Sequence, residues 1–326
     1  MDTAWKTRGI CMSAPTSQDL DLFEEFLDTF LVPGRCNLIV MLMRYRYQFI
    51  SHPECVNSND PLNAVQVKRI VDLCRKRNIR LIPKMNLMGH QSERSSDTMD
   101  GLLKGHPELD ETPGMKEVFY CRSLCPSHPD AKPIVTDLIN EMTEAFETDG
   151  IHIGMDEVFD IGKCDLCKDT PTYKLFAAWV TALVEHNRSR GLQTLMWGDR
   201  LLNGLETGYG AWEASGNFTE PALHLLPRDT LICDWHYEDC ETYPSVNIFA
   251  DAGYRMLVCP WRYRANAEKF IRYAQANDKG HIEGTLATTW IPSGDIMRFM
   301  LRGLPTEGKR QDTLQALSET LHWVFV

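Results

Sequence analysis

No stretch of this 326-residue sequence approaches the ~18 consecutive apolar residues of a membrane-spanning helix. The densest run, Asn37 to Met43, is strand-sized, and no membrane partner is expected. The first residues, Met1-Asp2-Thr3-Ala4-Trp5-Lys6, lack the apolar core of a secretory leader. Basic residues are few: 34 Lys and Arg stand against 45 Asp and Glu, a net charge of −11. That argues against nucleic-acid binding, which depends on a basic stripe. No Gly-x-Gly-x-x-Gly follows the first apolar run, which argues against a dinucleotide-binding open sheet. Linkers, repeats and low-complexity tracts are missing too. The eleven cysteines are odd in number, and without a leader they are expected as reduced thiols in a cytoplasmic chain.

What the sequence does contain is an alternation. Strand-length apolar runs occur at Arg8–Ala14, Cys36–Met43, Arg80–Leu87, Gly150–Glu157, Gln193–Arg200, Thr230–Tyr237, Arg255–Arg262 and Ile282–Trp290. Helical patterns follow them, at Asp19–Leu31, Leu62–Lys76, Lys132–Glu147, Thr172–Arg190, Glu220–Leu226, Val246–Ala252, Ala265–Asn277 and Leu314–Trp323. In the second of these, Val67, Ile70, Val71 and Cys74 recur at helical spacing while the other face is charged. Asn78 and Gly191 are placed to end the second and fourth helices. Eight strand–helix units predict an α/β fold of the (β/α)8 barrel type, one domain over residues 1–326, with a long loop, Gly89 to Pro129, after strand three.

In such a barrel the chemistry gathers at the C-terminal ends of the strands. Strand four ends in Asp156-Glu157, and repulsion between two neighbouring carboxylates is expected to raise the pKa of one, which suits a general acid. Elsewhere an isolated Asp-Glu reads as a helix N-terminus. Strands five to eight end near Trp197, Trp235, Trp261 and Trp290. One such Trp reads as core packing; four at equivalent ends predict an aromatic wall of the kind on which sugar rings stack.

His152-Ile153-Gly154-Met155-Asp156-Glu157 resembles the His-x-Gly-Gly-Asp-Glu signature of glycoside hydrolase family 20, the β-N-acetylhexosaminidases. Arg8-Gly9 is similar to the family's first-strand Arg-Gly, whose arginine holds sugar hydroxyls. Leu81-Ile82-Pro83-Lys84 through Met88-Gly89-His90-Gln91-Ser92 resembles its Ile-Pro-Glu … Pro-Gly-His-Ser segment. Leu195-Met196-Trp197-Gly198-Asp199 is similar to its Trp-Asp-Glu segment, and Thr289-Trp290 to its last-strand Trp. The departures are Met155 for a glycine, Lys84 for a glutamate, and Val40-Met41-Leu42-Met43-Arg44-Tyr45 where the family reads His-x-His-Leu-x-Asp. The last removes a hydroxyl-binding acid and leaves the gluco or galacto preference open.

The resemblance implies a retaining enzyme that removes a terminal N-acetylhexosamine from a carbohydrate, with the substrate's acetamido oxygen as nucleophile. Glu157 is then the acid and base, Asp156 orients the acetamido group, and Trp197, Trp235 and Trp290 wall it. Arg8, His90, His152 and Trp261 complete the expected substrate-binding set. No metal or organic cofactor is expected, and a homo-oligomer stays open. Two rivals stand beside this: a catalytically silent sugar-binding barrel, with Met155 crowding the site, and a metal-dependent hydrolase using His90, His152 and Asp156. Cys121, Cys125, Cys164 and Cys167 read as free thiols first, with a structural zinc knuckle or a redox disulfide as alternatives.

Overall fold

The structure is a computed structural model that describes residues 5–303 and 309–326. Residues 1–4, part of the segment read for an export signal, lie outside the described residues. Eight parallel strands pair in sequence order and close into a barrel. They are β1 (Thr7–Ser13), β2 (Leu38–Leu42), β3 (Arg80–Lys84), β4 (Gly150–His152), β5 (Gln193–Trp197), β6 (Leu231–Trp235), β7 (Arg255–Cys259) and β8 (Ile282–Thr288). The helices are α1 (Leu20–Phe26), α2 (Ala64–Lys76), α3 (Gly101–Gly105), α4 (Ala131–Ala145), α5 (Thr172–Ser189), α6 (Gly204–Thr207), α7 (Ser245–Asp251), α8 (Arg264–Ala276), α9 (Ser293–Arg302) and α10 (Lys309–Phe325). This is the (β/α)8 architecture that the alternation predicts. No helix among the described residues is long and apolar enough to cross a membrane.

Helix α2 shows how local sequence sets an element. Asn63 accepts from the Gln66 N–H while the Gln66 side chain accepts from the Asn63 N–H, a reciprocal cap. Val67, Ile70, Val71 and Cys74 are buried as the periodicity predicts. The helix stops where Asn78 enters the left-handed region (φ 56°) and Ile79 N–H returns to Cys74 O at 3.0 Å. The stretch expected as one helix over 19–31 divides instead: α1 ends at Phe26 and a wider, π-type turn covers Leu27–Leu31. Helix α9 was not anticipated.

The chain divides into two compact units, residues 1–43, 62–83 and 233–326, and residues 44–61 and 84–232. In the first, β1 pairs with β2 from Gly9↔Leu38 to Ser13↔Leu42, and with β8 from Thr7↔Gly284 to Cys11↔Thr288. Its helical layer packs Phe26 on Phe30 and Phe30 on Phe325, with ring centroids 5.4 and 5.9 Å apart. In the second, Lys84 is in register with His152, and β4 pairs with β5 from Gly150↔Gln193 to His152↔Leu195. The second unit carries the acid pair.

Candidate active site

Strand β4 is shorter than its apolar run, because the ladder ends at His152 and the chain turns. Gly154 and Met155 have φ of 78° and 77°, and Glu157 has φ 53°. Gly154 has no alternative: a Cβ there would lie 2.8 Å from Met85 O. Met155 holds the same left-handed backbone with a buried side chain, at a cost of about 1–2 kcal/mol. The β3 side repeats the pattern. Gly89 passes so close that a Cβ would meet Asp156 O at 2.9 Å, and His90 follows at φ 57°. Gln91 fastens this turn from below, its buried amide donating to Asn86 O at 2.6 Å and Gly89 O at 2.9 Å. Non-glycine residues in this strained region recur just beyond β2 (Arg44, Tyr45), β3, β4, β7 (Arg262) and β8 (Trp290). Strain of this kind is retained where geometry serves function.

These turns bring three titratable groups together. His90 Nε2 lies 3.0 Å from Glu157 Oε2, and His90 Nδ1 lies 3.9 Å from Asp156 Oδ2. On the other side Lys84, 1% exposed, places Nζ 4.0 Å from Asp156 Oδ1 and donates to Asn86 Oδ1 at 2.7 Å. Burial alone would raise the Asp156 carboxyl, but Lys84 and then His90 outweigh it, so its pKa falls below the ordinary value. The expectation of a raised pKa within the pair is therefore corrected for Asp156, by a cation the carboxyl pattern could not show. Beside the pair, Asp199 is raised instead: burial pushes it up to about 6 against the pull of Arg200. Asp199 Oδ2 accepts the Glu157 backbone N–H at 2.9 Å and Arg200 Nε at 2.7 Å. Arg200, itself fully buried, donates to Ala211 O, Trp212 O and Ala214 O. A chain of buried charge thus fixes the backbone of Glu157.

Some expected site residues fall elsewhere. Arg8 is the second residue of β1, at its N-terminal end, and its guanidinium donates to Gly34 O at 3.3 Å and Phe325 O at 3.5 Å. It therefore serves as a structural arginine at the N-terminal end of its strand. His152 is buried, with Nδ1 accepting from Gly154 N–H at 3.1 Å, and burial followed by Lys84 holds its pKa well below the usual value. It hydrogen-bonds neither acid; its ring lies on Trp197, centroids 4.5 Å apart. Trp197 is 0% exposed, so it backs this stack and presents no face to a ligand.

In the first unit, Trp235, Trp261 and Trp290 gather around Tyr237, which the sequence reading missed. Tyr237 lies 4.7 Å from Trp235 and 5.2 Å from Trp261 between ring centroids, and its hydroxyl accepts from Trp290 Nε1 at 2.7 Å. In the second unit another aromatic group adjoins the acids. Tyr120 meets His90 edge-on at 5.5 Å and packs on Trp212 at 4.9 Å, with Phe159 and Phe119 against Trp212. Phe119 and Trp212 are 63% and 44% exposed, an open apolar ring surface of the kind that marks a binding groove. Lys84, Asp199, Tyr120 and Trp212 were missed as site residues, although Lys84 and Asp199 lay within quoted motifs.

The metal alternative fits poorly. His90, Asp156 and Glu157 place one donor atom each within 4.8 Å of one another, but His152 is not among them. The Lys84 ammonium beside Asp156 is a fixed cation with which a metal would compete.

A barrel whose β4 loop carries an adjacent, partly buried carboxylate pair, one member on a histidine and one beside a lysine, has the equipment of a glycoside hydrolase. The family model of the glycosyl hydrolase family 20 catalytic domain matches residues 54–290, and the chain belongs to that family. Among solved structures, the chain resembles a Flavobacterium johnsoniae chitobiase at 17% identity and TM-score 0.66, covering 98% of this chain and 52% of that one. A β-N-acetylhexosaminidase from Bacteroides fragilis NCTC 9343 is similar at 13% identity and TM-score 0.65, over 98% and 70% of the two chains. An exo-β-N-acetylglucosaminidase from Vibrio harveyi is similar at 16% identity and TM-score 0.64, over 97% and 54%. The chain thus spans about half the length of two of these structures. No curated protein sequence matches it.

Proposed function

We propose that this chain is a retaining, exo-acting β-N-acetylhexosaminidase in which the substrate's own acetamido group is the nucleophile. The observation that carries the reading is the unequal treatment of two consecutive carboxylates: Asp156 is held anionic by Lys84 and His90, while Glu157 has its side chain on His90 and its backbone on Asp199. In the first step the acetamido oxygen bonds to C1 as the glycosidic C1–O bond breaks, and Glu157 gives its proton to the departing oxygen. Asp156 accepts the acetamido N–H and stabilises the positive charge spread over the oxazolinium ring. Glu157 then takes a proton from water, whose oxygen attacks C1 and reopens the ring. Two displacements at C1 leave the β configuration in place. The names of the similar structures, a chitobiase and N-acetylhexosaminidases, support this substrate class.

The test is hydrolysis of aryl N-acetyl-β-hexosaminides followed by NMR, with the β-anomer expected as first product. An α-anomer, or no turnover of any such glycoside by folded protein, overturns the proposal and, in the second case, favours a silent sugar-binding barrel.

In this reading Trp290 serves the sugar as the family's last-strand Trp does. Trp290→Ala removes the indole that donates to Tyr237 and should lower kcat/KM on N-acetyl substrates by ~10–100-fold through misorientation. Normal turnover by the folded variant would reduce Trp290 to rim packing. The sugar's C4 hydroxyl offers a second test. Where the family pattern has an acid, this chain has exposed Arg44, and Tyr45 is buried with its hydroxyl on Asn86 O. A cation and a buried phenol cannot replace a carboxylate acceptor, so gluco and galacto substrates should differ little. A preference of several hundred-fold, ~3.5 kcal/mol, in side-by-side kinetics would contradict this.

A further inference from the structure

Apart from the acid pair, a second polar cluster is largely buried. Cys125 Sγ is 3.4 Å from Cys164 Sγ and 3.5 Å from Cys167 Sγ, and Cys164 Sγ is 3.3 Å from Glu111 Oε2. One donor atom from each of these four residues lies within 4.8 Å of the others. All three cysteines are free thiols, and Glu111 is 0% exposed. Cys121, the fourth member in the zinc alternative, is not in this cluster; burial and then the charge of Glu157 push its thiol up to about 12. Spacing alone pairs Cys121 with Cys125, whereas the fold puts Glu111 in its place.

We propose that Glu111, Cys125, Cys164 and Cys167 hold one structural zinc ion that ties together the two loops carrying the catalytic groups. The donor set is three soft sulfurs and one oxygen, a combination that favours tetrahedral zinc over magnesium or calcium. With Zn–S bonds of ~2.3 Å, a tetrahedron has sulfur–sulfur edges of about 3.8 Å, so the observed separations need only a slight expansion. A disulfide would use two sulfurs and strand a third beside a buried carboxylate; one divalent ion satisfies all four. Binding releases the thiol protons to solvent as thiolates form.

The surroundings are built for this. An antiparallel bridge, Asp110↔Leu124, sets Glu111 beside Cys125, with Glu111 N–H on Ser123 O and Cys125 N–H on Leu109 O. Cys164-x-x-Cys167 closes a tight turn in which Cys167 N–H and Lys168 N–H both reach Cys164 O. Lys163 N–H holds Glu111 Oε1 at 2.7 Å and leaves Oε2 aimed at the sulfurs. Ser127 Oγ, 3.3 Å from Cys167 Sγ, is positioned to donate to a thiolate. Glu111 and Cys125 belong to the β3–α4 loop, which also carries His90 and Tyr120. Cys164 and Cys167 belong to the β4–α5 loop, which also carries Asp156 and Glu157. Zinc would make these two loops one rigid piece.

The experiment is elemental analysis of the full chain purified under reducing conditions without chelator, followed by titration of stripped protein with zinc or cobalt(II) alone. About one zinc per chain is expected, and cobalt should give the near-ultraviolet thiolate charge-transfer band and intense visible bands of a tetrahedral site. Cys164→Ser and Cys167→Ser should lose both signals, and Cys121→Ser should keep them. Glu111→Gln should keep the thiolate band and shift the visible ones; unshifted bands would remove Glu111 from the site. Should the cysteine variants fail to fold, the wild type alone decides. Metal-free wild-type protein that gives no cobalt spectrum, or a peptide map joining Cys125 to Cys164 or Cys167 by a disulfide, overturns the proposal. None of these measurements depends on hydrolysis, so the zinc site and the proposed activity stand or fall separately.

Discussion

Glu157→Gln should nearly abolish cleavage of a glycoside with an alkyl or sugar leaving group, by ~10²–10⁴-fold in kcat/KM. The same variant should lose far less on an aryl glycoside whose phenol has a low pKa, because that oxygen departs without needing a proton. The residue remains near neutral in volume and keeps its backbone N–H on Asp199, so the folded site is preserved. Asp156→Asn should behave differently. In the proposed mechanism it serves the acetamido nucleophile and the charge at the ring, so its losses should be similar for both leaving groups. Equal losses for Glu157→Gln on the two substrate types would remove it from the acid role. Efficient cleavage of plain glucosides, which lack the acetamido oxygen, would sink the substrate-assisted route.

Lys84→Met should be nearly as damaging, and by another path. It takes from the buried Asp156 carboxylate its strongest charged partner, and breaking a buried pair from one side costs about 3–5 kcal/mol. The folded Asp156 carboxyl now lies below its ordinary value of 3.8, so its contribution to stability is present above that value and is lost as pH falls through the lower folded one. Without Lys84 that contribution disappears, and the carboxyl rises. Activity that requires ionised Asp156 should then fail at a higher pH than in the wild type. A pH profile of kcat/KM, with a denaturation curve at each pH, measures both effects. An acid limb that does not move would show that Lys84 is an ordinary core lysine.

The barrel was legible because its signals are local. Strand-length apolar runs, caps such as Asn78 and Gly191, and the placement of Trp197 and Trp235 at strand ends all depend on neighbours in sequence. The run at residues 150–157 misled, since burial makes a ladder and the turn beyond it equally apolar. Only the backbone at Gly154 and Met155 separates the two. Arg8 misled for a different reason: the motif outweighed the plain fact that the residue lies near the start of its strand. Lys84 and Asp199 were visible as departures or neighbours within motifs, but their roles require knowing that they flank Asp156 and Glu157. The pairing of Tyr120 with Trp212 and of Glu111 with Cys125 comes from long loops folding back, which no spacing rule anticipates. Glycine is absent from several left-handed positions, so the strained turns gave no compositional sign.

The lysine beside Asp156 also bears on which inhibitors this site would prefer. A carboxylate facing an empty pocket rewards a ligand that brings a permanent positive charge, and iminosugars exploit this. Here an ammonium already lies 4.0 Å from one carboxylate oxygen and an imidazole 3.9 Å from the other. A cationic inhibitor must approach a partly neutralised anion and tolerate Lys84 at close range, which erodes its advantage. If the proposed mechanism holds, a neutral bicyclic mimic, which offers an N–H to Asp156 and the shape of the fused ring without a fixed charge, avoids that repulsion. Selectivity against relatives lacking this lysine would therefore be sought by removing charge from the ligand.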